Sequence, residues 1–416
     1  MKNLKGALMF AQSGGPTSVI NASAAGVFIE GLKNDNITAV YGAAHGIRGI
    51  LNEEFYDIGM EDEKELELLK YTPSSALGSV RYKLKDASVD DTDYKKLLEV
   101  FKKYDVRYFF YNGGNDSMDT CNKISKFMAK SGYEMNVIGV PKTIDNDLYG
   151  TDHCPGFASA AKYIATSIME INLDAKVYDT PMLCVIEVMG RNAGWLTAAA
   201  ALAGAKGLGA DLIYLPEITF DINKFIADVK DVCAKNNNKC IAVVSEGIKN
   251  ADGVLVCEAL GQAGARDSFG HAQLGGVAAT LCNILKAETG FKTRAVELSL
   301  MQRCAAHCAS KTDIEETFEA GKQAVRAAVN GETDKMVCYA RKEGDNYECE
   351  YKLLPLELAA NTEKTVPLEW ITNNGTGISD EFVKYAMPLI QGETDMLKED
   401  GLPRFARLKK VLVNKK

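Results

Sequence analysis

The chain has 416 residues, 46% of them hydrophobic and 25% charged, with a net charge of −8. That length accommodates about two to three domains with sizeable cores, and the negative balance argues against a general binder of nucleic acid or of a membrane surface. The apolar run in "MKNLKGALMFAQSGG" is far too short for a secretory leader. No stretch approaches the roughly 18 apolar residues of a membrane span, so a cytoplasmic location is expected.

The first predicted strand, "GALMFAQ", runs into "AQSGGPTSVINA" (Ala11–Ala22), where two glycines precede a helix expected near Ser18. Glycines let the backbone approach an anion, and a helix N-terminus adds oriented N–H groups. Gly14 and Gly15 are therefore candidate phosphate contacts, with a tight β–α turn as the alternative reading. No Gly-Lys-Ser/Thr follows, so this is not a Walker loop. "ITAVYGAA" reads as the next strand, and "DTDYKKLLEVFKKYDV" as a helix with Leu97, Leu98, Phe101 and Tyr104 on one stripe. "VRYFFYN" then leads to a second glycine pair, Gly113 and Gly114, with Asn115 and Asp116 in the first turn of a following helix. Helix capping explains such residues equally.

After the strand "MNVIGVP" comes "GVPKTIDNDLYGTD" (Gly139–Asp152), which brings Lys142, Asp145 and Asp147 together. Acids at a strand end suit metal coordination or general-base work, and a lysine beside them supplies positive charge for a phosphoryl group. "PMLCVIEVM" ends in "VIEVMGRNAGW", where Arg191 can fork onto a phosphate or sugar hydroxyls. "ADLIYLP", the helix "DINKFIADVKDVCAKNNN" and the strand "KCIAVVSEG" follow. This alternation predicts an α/β fold with parallel strands buried on both faces, and ligands at their carboxyl ends. From about Lys352 the pattern loses regularity and predicts a C-terminal extension packed on the core. The eleven cysteines are scattered. Cys304, His307 and Cys308 have metal-compatible spacing without a second pair nearby.

In order and spacing, "SGGPTSVINA", "GGNDS", "PKTIDND", "EVMGR" and "VVSEG" resemble the phosphofructokinase family over roughly Leu8 to Ile390. The resemblance implies two similar Rossmann-like doubly wound domains plus an extension. Residues 1–153 with about 304–350 would form the phosphoryl-donor domain, 154–303 the fructose 6-phosphate domain, and 351–416 the extension. It implies phosphorylation of the 1-hydroxyl of fructose 6-phosphate, with Asp145 as general base and Thr143, Ile144 and Asp147 near substrate and metal. Met189, Gly190 and Arg191 would contact the sugar phosphate, Glu246 the fructose hydroxyls, and Arg81 the donor phosphates. In "GFKTRAVELSLMQR", Arg294 from a neighbouring subunit and Arg303 from the same chain would bind the 6-phosphate. A homodimer or homotetramer is therefore expected. Leu300 and Met182 depart from the family pattern at the expected phosphate clamp. "FGHAQLGG" (Phe269–Gly276) imitates the same segment without a substrate arginine before it.

Nucleotide-using relatives carry glycines where Asp116 and Lys142 stand. A carboxylate at 116 would oppose an α-phosphate; two like charges about 4 Å apart cost several kcal/mol at an effective dielectric near 20. Lys142 can neutralise the phosphoryl group in transfer. Asp116 and Lys142 thus point to the pyrophosphate-dependent branch, working reversibly in glycolysis and gluconeogenesis, with ATP use as the alternative. Magnesium is expected. Asn115 replaces an acid that often helps hold it, and its amide oxygen can ligate directly or through water. A non-catalytic sugar-phosphate sensor would need neither Asp145 nor Lys142. A dinucleotide-binding dehydrogenase would need the G-x-G-x-x-G spacing, which is absent.

Overall fold

The computed structural model describes residues 4–260, 276–344, 346–360 and 362–415. Strand β1 (Gly6–Gln12) is buried along its whole length, as a strand covered by helices on both faces must be. The helix Ile20–Leu32, β2 (Ile37–Ala43) and β3 (Phe55–Asp57) follow. The amphipathic helix Thr92–Lys103 buries Tyr94, Leu97, Val100 and Phe101, leaving Leu98 half-buried. Next come β4 (Val106–Gly113), the helix Asn115–Lys130 and β5 (Asn136–Pro141).

A second sheet contains β6 (Met182–Val188), β7 (Leu212–Tyr214), β8 (Lys239–Ser245) and β9 (Lys292–Glu297), in the order β7-β8-β6-β9 and parallel throughout. Before β8, the helix Ile222–Lys235 starts where predicted, because the Asp221 side chain accepts from the N–H groups of Asn223 and Lys224. The chain then returns through the helix Lys311–Val329 to β10 (Lys335–Arg341) and β11 (Cys349–Pro355). These complete the first sheet, β11-β10-β5-β4-β1-β2-β3.

All seven predicted strands form, and the two doubly wound sheets are present but unequal, with seven and four strands. The boundary expected at residue 351 falls inside β11, which pairs antiparallel with β10 from Cys349 to Pro355. The first sheet therefore runs to Pro355 and the extension begins after it. The first helix starts at Ile20, two residues later than expected. From residue 362 the extension lies first against the second sheet, where Trp370, Phe382 and Tyr385 surround Trp195. It then returns to the first, where the Val413 N–H donates to the Phe55 carbonyl.

Strand order positions the site. The chain leaves β1 toward β2 on one side, yet β4 pairs on the other side of β1. The loops after β1 and β4 diverge at that reversal and open a crevice. In the second sheet β6 sits between β8 and β9, which creates a second reversal at the carboxyl end of β6.

Candidate active site

The carboxyl ends of both sheets line one cavity of about 650 Å³. On the side of the first sheet, the Ser13–Gly15 loop turns at Gly14, whose φ of 76° favours glycine. The Ser13 N–H donates to the Asn112 carbonyl, and the Gly14 N–H to the Val80 carbonyl. The Ser79 hydroxyl donates to the Gly14 carbonyl at 2.6 Å. These bonds fix the Ser79–Arg81 segment against the loop and bring Arg81 to the cavity wall.

Lys142 is 3% exposed. Its Nζ donates to the carbonyls of Ser13 at 2.9 Å and Gly15 at 2.6 Å. An ammonium has three donors, so one is left for a ligand. Burial, with Arg81 and Arg303 nearby, pushes Lys142 down to about 8, against the opposing pull of Asp145. Gly114 opens the helix Asn115–Lys130, and Asp116 is exposed in its first turn on the cavity wall. Gly113, expected as a donor contact, does not line the cavity; a Cβ there would lie 2.0 Å from the Ser117 hydroxyl. Its smallness serves the packing of strand against helix.

The loop after β5 holds the acids. The Asp145 N–H donates to Thr143 Oγ1 at 3.1 Å. Asn146 is fully buried at φ 56°; its Nδ2 donates to the Tyr385 hydroxyl at 2.8 Å, and its Oδ1 accepts from the Cys154 N–H at 2.9 Å. This central anchor lets the side chains of residues 143, 144, 145 and 147 face the cavity. Burial raises the Asp145 carboxyl, opposed by Lys142 and Arg191. Burial, then Asp145 and Glu363, pushes Asp147 up to about 7.

Asn115 Nδ2 donates to Asp147 Oδ2 at 2.9 Å, while Asn115 Oδ1 and Asp147 Oδ1 are both buried without a hydrogen-bond partner. Buried polar atoms are rarely left unsatisfied. Two bare oxygens on one cavity wall fit a hard divalent cation.

The second sheet supplies the opposite wall with Met189, Arg191 and Glu246. The Gly190 N–H donates to Glu246 Oε1 at 3.2 Å, and the Met189 N–H to Gln302 Oε1 at 3.0 Å. Gly190 itself does not line the cavity; at φ 139° it makes the turn that presents its neighbours. Burial pushes Glu246 up to about 7. Arg303 lines the cavity and reaches the first glycine loop, since its Nη1 would lie 3.0 Å from a Cβ placed on Gly15. Burial and Arg81 lower it from the ordinary arginine value. Arg294 is exposed on β9, at the edge of the second sheet, and does not line the cavity of its own chain. Met182 is 2% exposed inside β6, and Leu300 is 56% exposed. "FGHAQLGG" lies outside the described residues except for Gly276.

Two lining residues carry no sequence signal of their own, Asn192 and Glu363. Asn192 follows Arg191 in a segment whose arginine draws the attention. Glu363 comes from the extension, in "NTEKTVPLEW", which follows no strand and has no glycine pair. Cys304, His307 and Cys308 do not converge: Cys304 Sγ faces the Leu300 carbonyl, Cys308 Sγ faces Thr166, and His307 packs on Tyr163. Among the described residues the one compact His/Cys/acid group is His153, Glu316 and Cys349. Both nitrogens of that histidine already lie against carboxylates, of Asp152 and Glu316.

A family model described as Phosphofructokinase matches residues 7–328. The chain belongs to the phosphofructokinase family. Among curated members, one from Halomonas elongata named pyrophosphate–fructose 6-phosphate 1-phosphotransferase is 45% identical over 98% of this chain and 97% of its own length. One of the same name from Methylococcus capsulatus is 43% identical over 98% of this chain and 97% of its own. A crystal structure of a pyrophosphate-dependent phosphofructokinase from Nitrosospira multiformis shares 41% identity, with a TM-score of 0.89 over 99% of this chain and 98% of that one. The glycine loops, the acid loop and the Arg191 segment fall at strand ends and meet in one cavity.

Proposed function

We propose that this chain transfers a phosphoryl group from pyrophosphate to the 1-hydroxyl of fructose 6-phosphate, giving fructose 1,6-bisphosphate and phosphate, reversibly. The observation that carries the donor assignment is Asp116, exposed on the cavity wall at the first turn of its helix, with Lys142 on the same cavity. The backbone N–H groups of the glycine loops and the helix N-terminus attract a diphosphate. The Asp116 carboxylate opposes a longer chain carrying an α-phosphate and nucleoside.

Pyrophosphate lies against Gly14, Gly15, Gly114 and Arg81, and the sugar phosphate against Met189, Arg191, Glu246 and Arg303. Asp145 accepts the proton of the 1-hydroxyl, whose oxygen attacks the nearer phosphorus in line. The bridging P–O bond breaks and phosphate departs. The remaining donor of Lys142 and the backbone N–H groups of the glycine loops stabilise charge spread over the equatorial oxygens. The wall carries Asp116, Asp145, Asp147, Glu246 and Glu363 against Arg81, Lys142, Arg191 and Arg303. Five acids against four cations do not neutralise two anionic substrates. Magnesium, held by Asn115 Oδ1 and Asp147, would supply the missing positive charge when bound.

The domains follow the two sheets. Residues 1–153, rejoined by about 304–355, hold the donor, and 154–303 hold the sugar. Arg294 completes the 6-phosphate site of a neighbouring subunit, so the working form is a homodimer or homotetramer. A cytoplasmic location agrees with eleven cysteines that are all free thiols. No described helix is long and apolar enough to cross a membrane. Assay of purified protein with a panel of donors and acceptors tests the reading, and turnover from ATP with none from pyrophosphate would overturn it.

A further inference from the structure

The extension does more than cover the second sheet. Residues 363–366 form a strap across the acid loop. Glu363 makes an antiparallel bridge with Leu148, and the Lys364 N–H donates to the Asp147 carbonyl at 2.8 Å. Lys364 Nζ donates to the carbonyls of Thr151 at 3.1 Å and Asp152 at 2.7 Å. The Trp195 indole N–H donates to the Lys364 carbonyl at 2.9 Å. At the far end, Glu217 Oε1 accepts from the N–H groups of both Gly194 and Val366, at 2.8 and 3.0 Å. Each of these partners belongs to the acid loop, to the Arg191 segment or to the strand end beside it. The strap is thus fixed to the parts that would hold the attacked end of the sugar.

That anchoring presents one exposed carboxylate to the cavity. Glu363 Oε1 accepts from Asn192 Nδ2 at 3.2 Å, and both residues line the wall. Glu246, at Gly190, and Glu363, at Asn192, therefore flank residue 191. Resting on the acceptor assignment above, we infer that Glu363, oriented by Asn192, is a second hydroxyl acceptor for the ketose. It takes the hydroxyl on the carbon next to the attacked 1-position, while Glu246 takes ring hydroxyls further along. Three observations favour a hydroxyl. A carboxylate repels both anionic substrates, so it earns no place there as a phosphate contact. One of its oxygens is already oriented by an amide, which leaves acceptor capacity directed at a neutral donor. The strap fixes its position without any ligand, as recognition of one hydroxyl requires.

The test measures initial rates and direct fructose 6-phosphate binding by calorimetry for wild type, Glu363→Ala and Glu363→Gln. It repeats them with 2,5-anhydromannitol 6-phosphate, which lacks that hydroxyl. In Glu363→Ala, KM and Kd for fructose 6-phosphate rise about tenfold, KM for pyrophosphate moves less than twofold, and Glu363→Gln, which can still accept, recovers part of the loss. Binding of the anhydro sugar is the same in all three proteins. An equal loss for both sugars, an unchanged Kd for fructose 6-phosphate, or a raised magnesium requirement with sugar binding intact would each overturn the inference. Wild-type protein that neither binds nor phosphorylates fructose 6-phosphate would instead sink the acceptor assignment itself.

Discussion

In the proposed reaction, Asp116 and Asp145 divide the chemistry between exclusion and proton transfer. With Asp116→Gly, the kcat/KM for pyrophosphate falls by about tenfold, and calorimetry detects ATP binding that wild type lacks. The same substitution loses a first-turn acid that suits the helix dipole, so the melting temperature drops by a few degrees. With Asp145→Asn, turnover falls by about 10²-fold or more while KM for both substrates changes little. Glu246 gives a pH prediction. Its folded carboxyl is raised to about 7 by burial, above an unfolded value near 4.3. Its contribution to stability is therefore complete below about pH 4 and lost as pH rises through about 7. Unfolding of the ligand-free protein across that window, compared with Glu246→Gln, reads the contribution directly; an identical pH slope in the two proteins contradicts it. Most of the site was legible at this scale because glycine pairs, acids and an arginine stood at strand ends. Glu363 was not legible, since nothing local to "NTEKT" says that residue 363 will bridge to Leu148. Gly113 and Gly190 fall outside the cavity lining, and sequence alone does not separate a glycine needed by a ligand from one needed by its neighbours.

The acid loop keeps its shape through Asn146 and the strap. Asn146→Ala removes two buried hydrogen bonds and leaves a Cβ-bearing residue without side-chain compensation at φ 56°. A loss of about 2–4 kcal/mol in unfolding free energy is expected, with turnover reduced beyond what lost folded protein explains. Tyr385→Phe, which removes one of those bonds and the hydroxyl's own bond to the Asp152 carbonyl, costs about 1–3 kcal/mol in the same denaturant titration. Equal stability of both variants and wild type would remove the loop's proposed anchor. Seven of the buried parallel strands were readable because each is a short apolar run between helical patterns; β10, buried and parallel to β5, was not read. Nor was β9, because an edge strand with the sequence "KTRAVE" is polar at four of its six positions and mostly exposed. β11 was missed for a related reason: it pairs on one side only, with β10, and its residues are partly exposed.

For the whole molecule, the proposed role of Arg294, which is exposed on β9, makes a prediction about mixed dimers. Arg294→Ala and Asp145→Asn each leave about a hundredth of wild-type activity or less when expressed alone. Co-expressed, they yield mixed dimers in which one site carries neither change, restoring about a quarter of wild-type activity for random pairing. No recovery would mean that each chain works by itself. The measurement that bears most directly on the account is kcat/KM of wild-type protein for pyrophosphate and for ATP, with fructose 6-phosphate and magnesium saturating. The expected result is rapid fructose 1,6-bisphosphate formation from pyrophosphate, with ATP at least about 10²-fold poorer, as a few kcal/mol of charge repulsion dictates. Equal or better turnover from ATP would contradict it.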